Sequence, residues 1–311
     1  MRSEGAIAVE LLDIELADLG ELPDGRRFEW ESVGEGEPMF WIEGGPGLPA
    51  HLGRPEATLF GRLFKAHLVN APGCGRTSAP LRPEEYDLPG HVAFFEAVRV
   101  ALELGPLTLV GHSWGGLVAM AYAAMEPMAA RRLIVLDGYA GGGSVLSSDA
   151  DAERERSFAR VPDRPWFPEA VRALETSYAL QTPTEQEDVD AFAPAWPLCF
   201  AHPELPINRR HIEGLTQELR SNVDVVIPWN ERHEAEDHRD LARTVTCPTL
   251  VVAGEHDFIC GPVWNRTLAE AIPNARYVEM KNAGHLPQYE DPERLMAIVT
   301  SWLAEPPTVV N

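Results

Sequence analysis

The sequence predicts an α/β protein with a mostly parallel, doubly wound sheet and an inserted helical segment. Three observations lead to this prediction. Short apolar segments alternate with helical segments as far as Asp137, which is typical of a parallel sheet covered by helices. The alternation stops after Gly141-Gly142-Gly143-Ser144 and resumes at Cys247. Between residues 107 and 126, an apolar strand, a Gly-x-Ser-x-Gly motif and an alanine-rich helix follow one another directly.

The first elements of the chain are predicted to be a hairpin and a third strand. Polar and apolar residues alternate over Ile7 to Leu16 and over Arg26 to Val33, and Pro23-Asp24-Gly25 between them is a turn signal. Pro38 to Ile42 is a compact apolar strand. It runs into the loop Glu43-Gly44-Gly45-Pro46-Gly47, whose glycines let the backbone pass close to a neighbour.

A strand and a helix precede the serine motif. His67 to Ala71 is a short apolar strand that ends in a second glycine-rich turn, Pro72 to Ser78. Apolar residues fall on one helical face between His91 and Leu104, and Gly105-Pro106 ends that helix.

The elements after the serine motif complete the predicted sheet. Arg132 to Asp137 is an apolar strand, and Cys247 to Gly254 is another. A helix is predicted over Pro262 to Ile272 and a last strand over Ala275 to Met280. Pro292 to Leu303 begins with proline and carries a regular apolar stripe, which predicts the final helix.

Residues 147–243 break the alternation and are predicted to form a helical cap. The segment combines many charges and several prolines with well-spaced aromatic residues, whereas a disordered linker would be poorer in aromatics. We therefore expect a core domain of residues 1–146 and 244–311 and a cap, or lid, domain of residues 147–243. Six aromatic side chains are expected to pack the cap onto the core: Trp166, Phe167, Phe192, Trp196, Phe200 and Trp229.

Composition excludes several kinds of partner. The net charge of −22 disfavours binding to nucleic acid or to anionic membranes. The amino terminus has no secretory pattern, so a cytoplasmic location is expected. The four cysteines show no Cys-x-x-Cys spacing and are expected to be free thiols. No metal site and no cofactor are predicted, and the sequence does not indicate an oligomeric state.

Ser113 is the candidate nucleophile. Gly111-His112-Ser113-Trp114-Gly115 lies between a strand and a helix, the context that defines a nucleophile elbow. Gly111 and Gly115 lack Cβ atoms, so the strand and the helix can approach each other closely around the serine. The alternative is an ordinary strand-to-helix turn that carries a solvent-facing serine.

A serine nucleophile needs a base and an acid that orients the base. His285 follows the last predicted strand and therefore shares the sheet edge of Ser113. His112 is expected to point the other way, and His91 is expected at the surface. The acid has two candidates, Asp257 after the strand that ends at Gly254 and Asp137 after the strand that follows the elbow. The order Ser, Asp, His favours Asp257, and Asp137 remains the alternative.

Negative charge that develops on the substrate needs backbone donors. One expected donor is the N–H of Trp114, the residue after the nucleophile. The other is the N–H of Gly45, and Gly44 beside it is expected to contact substrate. The alternative is that Gly44 to Gly47 only turn the chain.

These motifs resemble the α/β-hydrolase superfamily over nearly the whole chain. Gly44-Gly45-Pro46-Gly47 and Gly73-Cys74-Gly75-Arg76-Thr77 further resemble the proline iminopeptidase branch, whose members remove an N-terminal proline and hold its free amine with acidic cap residues. This sequence departs from that branch at Glu43, where histidine is usual, and at Ala71-Pro72, where Asp-Gln-Arg is usual. Four cap carboxylates are available for the amine, although a charged helix face also explains each: Glu204, Glu213, Glu231 and Glu234.

The expected activity is that of a cofactor-free serine hydrolase working through an acyl-enzyme. The resemblance implies a proline iminopeptidase-like aminopeptidase that releases N-terminal residues from small peptides. A carboxylesterase or lactonase acting on small-molecule esters is the alternative. A non-catalytic ligand-binding protein on the same scaffold is the alternative from another class.

Overall fold

The computed structural model of the 311-residue chain describes residues 15–141, 147–161, 163–178, 184–233 and 236–305. Eight strands form one sheet in the spatial order β1-β2-β4-β3-β5-β6-β7-β8. β1 pairs antiparallel with β2 and β2 antiparallel with β4, while all other pairs are parallel. The predicted mostly parallel sheet is confirmed. The strands are β1 (Glu15–Glu21), β2 (Arg27–Val33), β3 (Pro38–Ile42), β4 (Lys65–Val69), β5 (Leu107–His112), β6 (Ala130–Leu136), β7 (Thr249–Gly254) and β8 (Ala275–Met280).

Helices flank the sheet and fill the interval between β6 and β7. Those of the sheet layers are α1 (Arg54–Phe60), α2 (Leu88–Ala101), α3 (Trp114–Met125), α10 (Pro262–Ala271), α11 (Pro287–Glu290) and α12 (Pro292–Leu303). Those between β6 and β7 are α4 (Ser147–Phe158), α5 (Phe167–Tyr178), α6 (Glu185–Phe192), α7 (Pro206–Glu218), α8 (Val223–His233) and α9 (Arg239–Ala242). Residues 147–243, called the insertion below, are thus mainly helical in their described parts.

The amino-terminal hairpin lies further along the chain than predicted. Its first strand covers Glu15–Glu21 instead of Ile7 to Leu16, and residues 7–14 lie outside the described residues. Glu21 pairs with Arg27 across a turn in which the N–H of Leu22 donates to the carbonyl of Arg26 at 2.8 Å. The turn at Pro23-Asp24-Gly25 therefore sets the register, because only residues directly before it can pair with β2.

Parallel pairing aligns the strand ends on which the site depends. Ile42 lies opposite Gly111, His112 opposite Leu136, and Gly254 opposite Met280. The loops after β3, β5, β6, β7 and β8 consequently leave the sheet at one edge. This edge is where ligands bind in open α/β sheets.

Apolar side chains fill both faces of the sheet and the space beneath the insertion. Phe40, Leu109 and Val135 belong to the cluster on the α2 and α3 side, whereas Trp41 and Val110 belong to the cluster on the α1 and α12 side. A third cluster joins side chains of the insertion to side chains of the sheet-edge loops: Leu174, Trp196, Phe200 and Leu215 with Leu52, Phe258 and Leu286. The insertion is therefore packed onto the edge that holds the candidate site.

All four cysteines are free, as predicted, and all four are buried. None of the helices in the described ranges has the length and hydrophobicity needed to cross a bilayer.

Candidate active site

Ser113 occupies a strained turn between β5 and α3. Its backbone has φ 54° and ψ −122°, a conformation that non-glycine residues rarely adopt. The flanking glycines are required by backbone contact: a Cβ on Gly111 would lie 2.1 Å from the carbonyl oxygen of Gly115, and one on Gly115 would lie 2.1 Å from that of Ile42. The motif thus places the serine at the tip of a tight elbow.

The Ser113 side chain is almost enclosed, with 8% of the residue exposed. Within the described part of the chain, its hydroxyl makes one hydrogen-bond-type contact, at 4.0 Å with Sγ of Cys260. Burial raises the pKa of the Cys260 thiol well above its usual value, so the sulfur stays protonated and uncharged. The serine therefore faces a neutral, weakly polar neighbour.

His285 and Asp257 form a buried pair. Nδ1 of His285 lies 2.8 Å from Oδ2 of Asp257. Oδ1 of Asp257 accepts the backbone N–H groups of Ile259 at 2.7 Å and Cys260 at 3.2 Å. Burial opposes the charged form of Asp257, but the His285 ring and the N–H of Ile259 hold its pKa below the ordinary value. With Nδ1–H donated to Asp257, Nε2 of His285 is left as the proton acceptor.

The serine and the histidine are neighbours without a direct hydrogen bond. Among the described residues, no hydrogen bond joins Oγ of Ser113 to His285. A chain of contacts nevertheless connects them, because Cys260 touches both Ser113 and Asp257, and Asp257 holds His285. Catalytic hydrogen bonds are often long in a free enzyme and tighten when substrate binds.

His112 links the elbow to the histidine loop, so the expectation that it points away is wrong. Its Nε2–H donates to the backbone carbonyl of His285 at 2.8 Å, and the two rings lie 4.7 Å apart. Burial and the nearby His285 lower the pKa of His112 to about 3, so its ring is neutral. The sequence hid this role, because a residue on so sharp a turn has no predictable side-chain direction.

Asp137, the alternative acid, lies in the same buried cluster but does not hold His285. Its Oδ1 accepts the backbone N–H of Gly254 at 2.7 Å. One side-chain ligand atom from each of Asp137, Asp257 and His285 lies within 4.8 Å of the others. Burial and the charge of Asp257 raise the pKa of Asp137 well above its usual value. The geometry therefore gives the two aspartates different surroundings and pairs His285 with Asp257.

The loop after β3 brings backbone amides next to the serine. A Cβ placed on Gly44 would lie 3.5 Å from Cβ of Ser113, and Gly45 has φ +121°, a value that favours glycine. The N–H of Gly44 is used internally, since it donates to Oε1 of Glu43 at 2.8 Å. Trp114 is the first residue of α3, so its N–H has no intrahelical acceptor. Gly44 thus lies beside Ser113, and the oxyanion-hole role of Gly45 and Trp114 stays a prediction.

An aromatic cluster lies behind Trp114 and includes a histidine that was expected at the surface. His91 is fully buried, and its ring meets that of Trp114 edge-on at 5.1 Å. Trp229 of α8 completes the cluster at 5.2 Å from Trp114 and 5.5 Å from His91. Burial lowers the pKa of His91 to about 4, so the cluster is uncharged. The helical stripe over residues 91–104 gave no sign that its first member was buried.

The cap carboxylates proposed to hold a substrate amine differ in their surroundings. Glu204 lies 3.7 Å from Arg164 and 3.8 Å from His202, and Glu213 is exposed. The side chains of Glu231 and Glu234 lie outside the described residues. Neither described carboxylate therefore has a contact that connects it to Ser113.

The fold and the site together define the class of the protein. A mostly parallel eight-stranded sheet with a nucleophile elbow after β5 is the architecture of α/β hydrolases. Residues 41–292 match the family model described as "alpha/beta hydrolase fold". The chain belongs to this family, and the prediction of a hydrolase enzyme of this fold is confirmed.

Two relatives with similar sequences are both proline iminopeptidases. The chain is 26% identical over 290 residues to a proline iminopeptidase of Levilactobacillus brevis, covering 86% of this chain and 88% of the relative. It is 22% identical over 286 residues to a proline iminopeptidase of Clostridium botulinum, covering 89% and 93%.

Two solved structures have a fold similar to that of this chain. An alpha/beta fold family hydrolase from Bacillus anthracis aligns with a TM-score of 0.73 at 21% identity, over 93% of this chain and 100% of that one. An enol-lactonase from Burkholderia xenovorans aligns with a TM-score of 0.69 at 21% identity, again over 93% and 100%. At these identities the structures share a fold with this chain, and a shared fold does not assign their activities to it.

Proposed function

We propose that the protein is a serine hydrolase in which Ser113 is the nucleophile, His285 the general base and Asp257 the residue that orients it. The observation that carries the proposal is the 2.8 Å contact between Nδ1 of His285 and Oδ2 of Asp257, on the same sheet edge as the strained Ser113 turn. That contact fixes the tautomer in which Nε2 can take a proton.

The reaction follows from these positions. Oγ of Ser113 attacks the carbonyl carbon of the substrate while His285 takes the hydroxyl proton. The N–H groups of Gly45 and Trp114 stabilise the negative charge on the carbonyl oxygen. His285 then gives its proton to the leaving group, and an acyl-Ser113 ester remains. Water activated by His285 hydrolyses this ester, releases the acid and restores Ser113.

We propose a proline iminopeptidase-like aminopeptidase as the first candidate activity, with a short peptide as substrate. The loops at Gly44–Gly47 and Gly73–Thr77 and the names of the relatives support it. We further propose that residues 147–243 act as a cap, because their apolar cluster covers the edge at which Ser113 lies and leaves the serine 8% exposed.

A carboxylesterase or lactonase is the second candidate. Glu43 supports it, since this carboxylate stands where the peptidase branch usually has histidine and is directed into the protein by Trp41. A ligand-binding protein without turnover is the third possibility, and an unreactive Ser113 in folded protein would support it.

One matched set of substrates separates these activities. Proline p-nitroanilide, its N-acetyl derivative and p-nitrophenyl acetate are assayed with the wild type and with Ser113→Ala. An aminopeptidase cleaves the free-amine anilide and fails on the acetylated one. An esterase cleaves the ester and is indifferent to the amine. Full activity of Ser113→Ala on any substrate that the wild type cleaves would exclude Ser113 as the nucleophile.

A further inference from the structure

Asp137 is a buried acid that the proposed triad does not use. It follows β6 and is fully buried. Its backbone N–H donates to the carbonyl of Val252 at 2.8 Å, and its side-chain Oδ1 accepts the N–H of Gly254 at 2.7 Å. Its φ of 46° is in the left-handed region, which aspartate and asparagine tolerate better than most residues. The side chain is therefore fixed in direction by the backbone of β7.

The second carboxylate oxygen of Asp137, Oδ2, has no hydrogen-bond donor in the described part of the chain. It is buried, and none of the described residues donates a hydrogen bond to it. An ionised carboxylate oxygen left without a donor in a buried site would be strongly unfavourable. A protonated oxygen is different, because it is itself a donor and needs an acceptor.

Asp257 supplies such an acceptor. Atoms of Asp137, Asp257 and His285 lie within 4.8 Å of one another, and Asp257 is negatively charged because it pairs with His285. Two buried carboxylates at this separation do not both ionise. The other titratable groups near Asp137 are Cys260 and Glu290, and a charge on either would be negative. Asp257, Cys260 and Glu290 thus favour an uncharged Asp137, while the N–H of Gly254 favours the charged form.

We propose that Asp137 is a positioning residue that holds a proton at neutral pH and donates it in a hydrogen bond to Asp257. The donated bond, together with the N–H groups of Ile259 and Cys260, fixes the Asp257 carboxylate so that Oδ2 faces His285. The role in catalysis depends on the proposed triad, whereas the protonation state does not. The elevated pKa of Asp137, caused by burial and by Asp257, agrees with this assignment.

The protonation state is tested by stability, without a substrate. An unfolded aspartate ionises with a pKa of about 3.9, so a native Asp137 that stays protonated binds a proton on folding. Rising pH then destabilises the wild type relative to Asp137→Asn, which cannot titrate. Between pH 5 and pH 7, we expect the ratio of the unfolding equilibrium constants, wild type over Asp137→Asn, to rise about tenfold for each pH unit.

A control and a second variant keep this measurement decisive. Asp240, with 92% of its side chain exposed, is the matched control, and the ratio for Asp240→Asn should stay constant. If Asp137→Asn does not fold, Asp137→Ser gives the same expected slope, because the slope arises from the wild-type acid. A constant ratio for the Asp137 variants over this pH range would show that Asp137 is ionised and would overturn the proposal.

Activity tests the positioning role separately. Asparagine can donate to Asp257 and accept from Gly254, so Asp137→Asn should keep kcat/KM within about threefold of the wild type. The acidic limb of the pH dependence of kcat/KM should also stay unchanged. Removal of a negative charge at Asp137 would instead move that limb by about one pH unit or more.

Asp137→Ser, whose side chain is shorter, should lower kcat about tenfold with little change in KM. Equal activity of Asp137→Ser and wild type would contradict the role. If no substrate is turned over, the proposed function fails while the stability test still stands.

Discussion

The backbone N–H of His285 donates a hydrogen bond of 2.8 Å to the backbone carbonyl of Cys199. Cys199 is the last residue of a 3₁₀ helix in the insertion, Ala193–Cys199, so the loop of the proposed base is bonded directly to the layer that covers it. Glu290 reinforces this connection by accepting the N–H groups of Ala201 at 2.8 Å and of Gly284 beside His285. A change in this connection should therefore affect stability and the site together.

Glu290 gives the connection a pH dependence. Burial raises the pKa of Glu290 to about 7, above that of an unfolded glutamate. Because the native state then binds the additional proton, the contribution of Glu290 to stability falls as pH rises from about 4.5 to 7. Relative to Glu290→Gln, the free energy of unfolding of the wild type should fall by on the order of 3 kcal/mol across this range. Urea denaturation at several pH values measures it.

An exposed neighbour serves as the control for this prediction. Glu293 has 64% of its side chain exposed, and Glu293→Gln should change the free energy of unfolding by less than about 0.5 kcal/mol at every pH. An equally flat profile for Glu290→Gln would contradict a raised pKa of Glu290 in the native state.

Glu43 should support turnover through the loop that it holds. Its Oε1 accepts the N–H of Gly44 at 2.8 Å, and its Oε2 accepts Nε1–H of Trp41 at 2.9 Å. Glu43→Ala removes both contacts and should lower kcat about 10²-fold, as expected when an oxyanion donor is misplaced. Glu43→Gln should have an intermediate kcat, because only one end of its amide can accept. An unchanged kcat for Glu43→Ala in steady-state kinetics would show that Glu43 does not position the loop at Gly44 and Gly45 for turnover.

Trp229 should be a major source of stability at the junction of the insertion and the core. It is 2% exposed and packs edge-on against Trp114 and His91. Trp229→Ala should lower the free energy of unfolding by about 3–5 kcal/mol. Trp264 is only partly buried and contacts Tyr139 at 6.3 Å, so Trp264→Ala should have a clearly smaller effect. Similar losses in the free energy of unfolding for the two variants would contradict a major stabilising role of the Trp229 cluster.

Cys260 should tolerate a small residue and reject a large one. Its Sγ lies 4.0 Å from Oγ of Ser113, and its thiol is uncharged. Cys260→Ala should keep kcat/KM within about threefold, because no charge or strong hydrogen bond is lost. Cys260→Leu would place added carbon atoms against Ser113 and should lower kcat/KM at least about tenfold. A large loss in Cys260→Ala would instead assign the thiol a chemical role.

The sequence predicted the sheet better than the site around it. Periodicity and strand order located β3, β8 and α12 at their observed bounds, because apolar patterns and proline positions are local signals. Asp257 and His285 are paired, and Ser113 lies at the same edge in contact with Cys260, since parallel strands bring their ends to one edge.

Side-chain direction and burial were less accessible from the sequence. His112 and His91 were misplaced because their orientation depends on packing between elements that are far apart in the chain. The separate surroundings of Asp137 and Asp257 likewise depend on which oxygen meets which backbone N–H, and no local pattern encodes this.

The most direct test of the central claim is covalent labelling of the folded protein with a fluorophosphonate, followed by intact-protein mass measurement and peptide mapping. If Ser113 is an activated nucleophile, the wild type gains one adduct, on Ser113, and Ser113→Ala gains none. His285→Ala should react at least about 10²-fold more slowly, because the hydroxyl loses its base. An unlabelled wild type, or labelling that is unaffected by Ser113→Ala, would contradict the account.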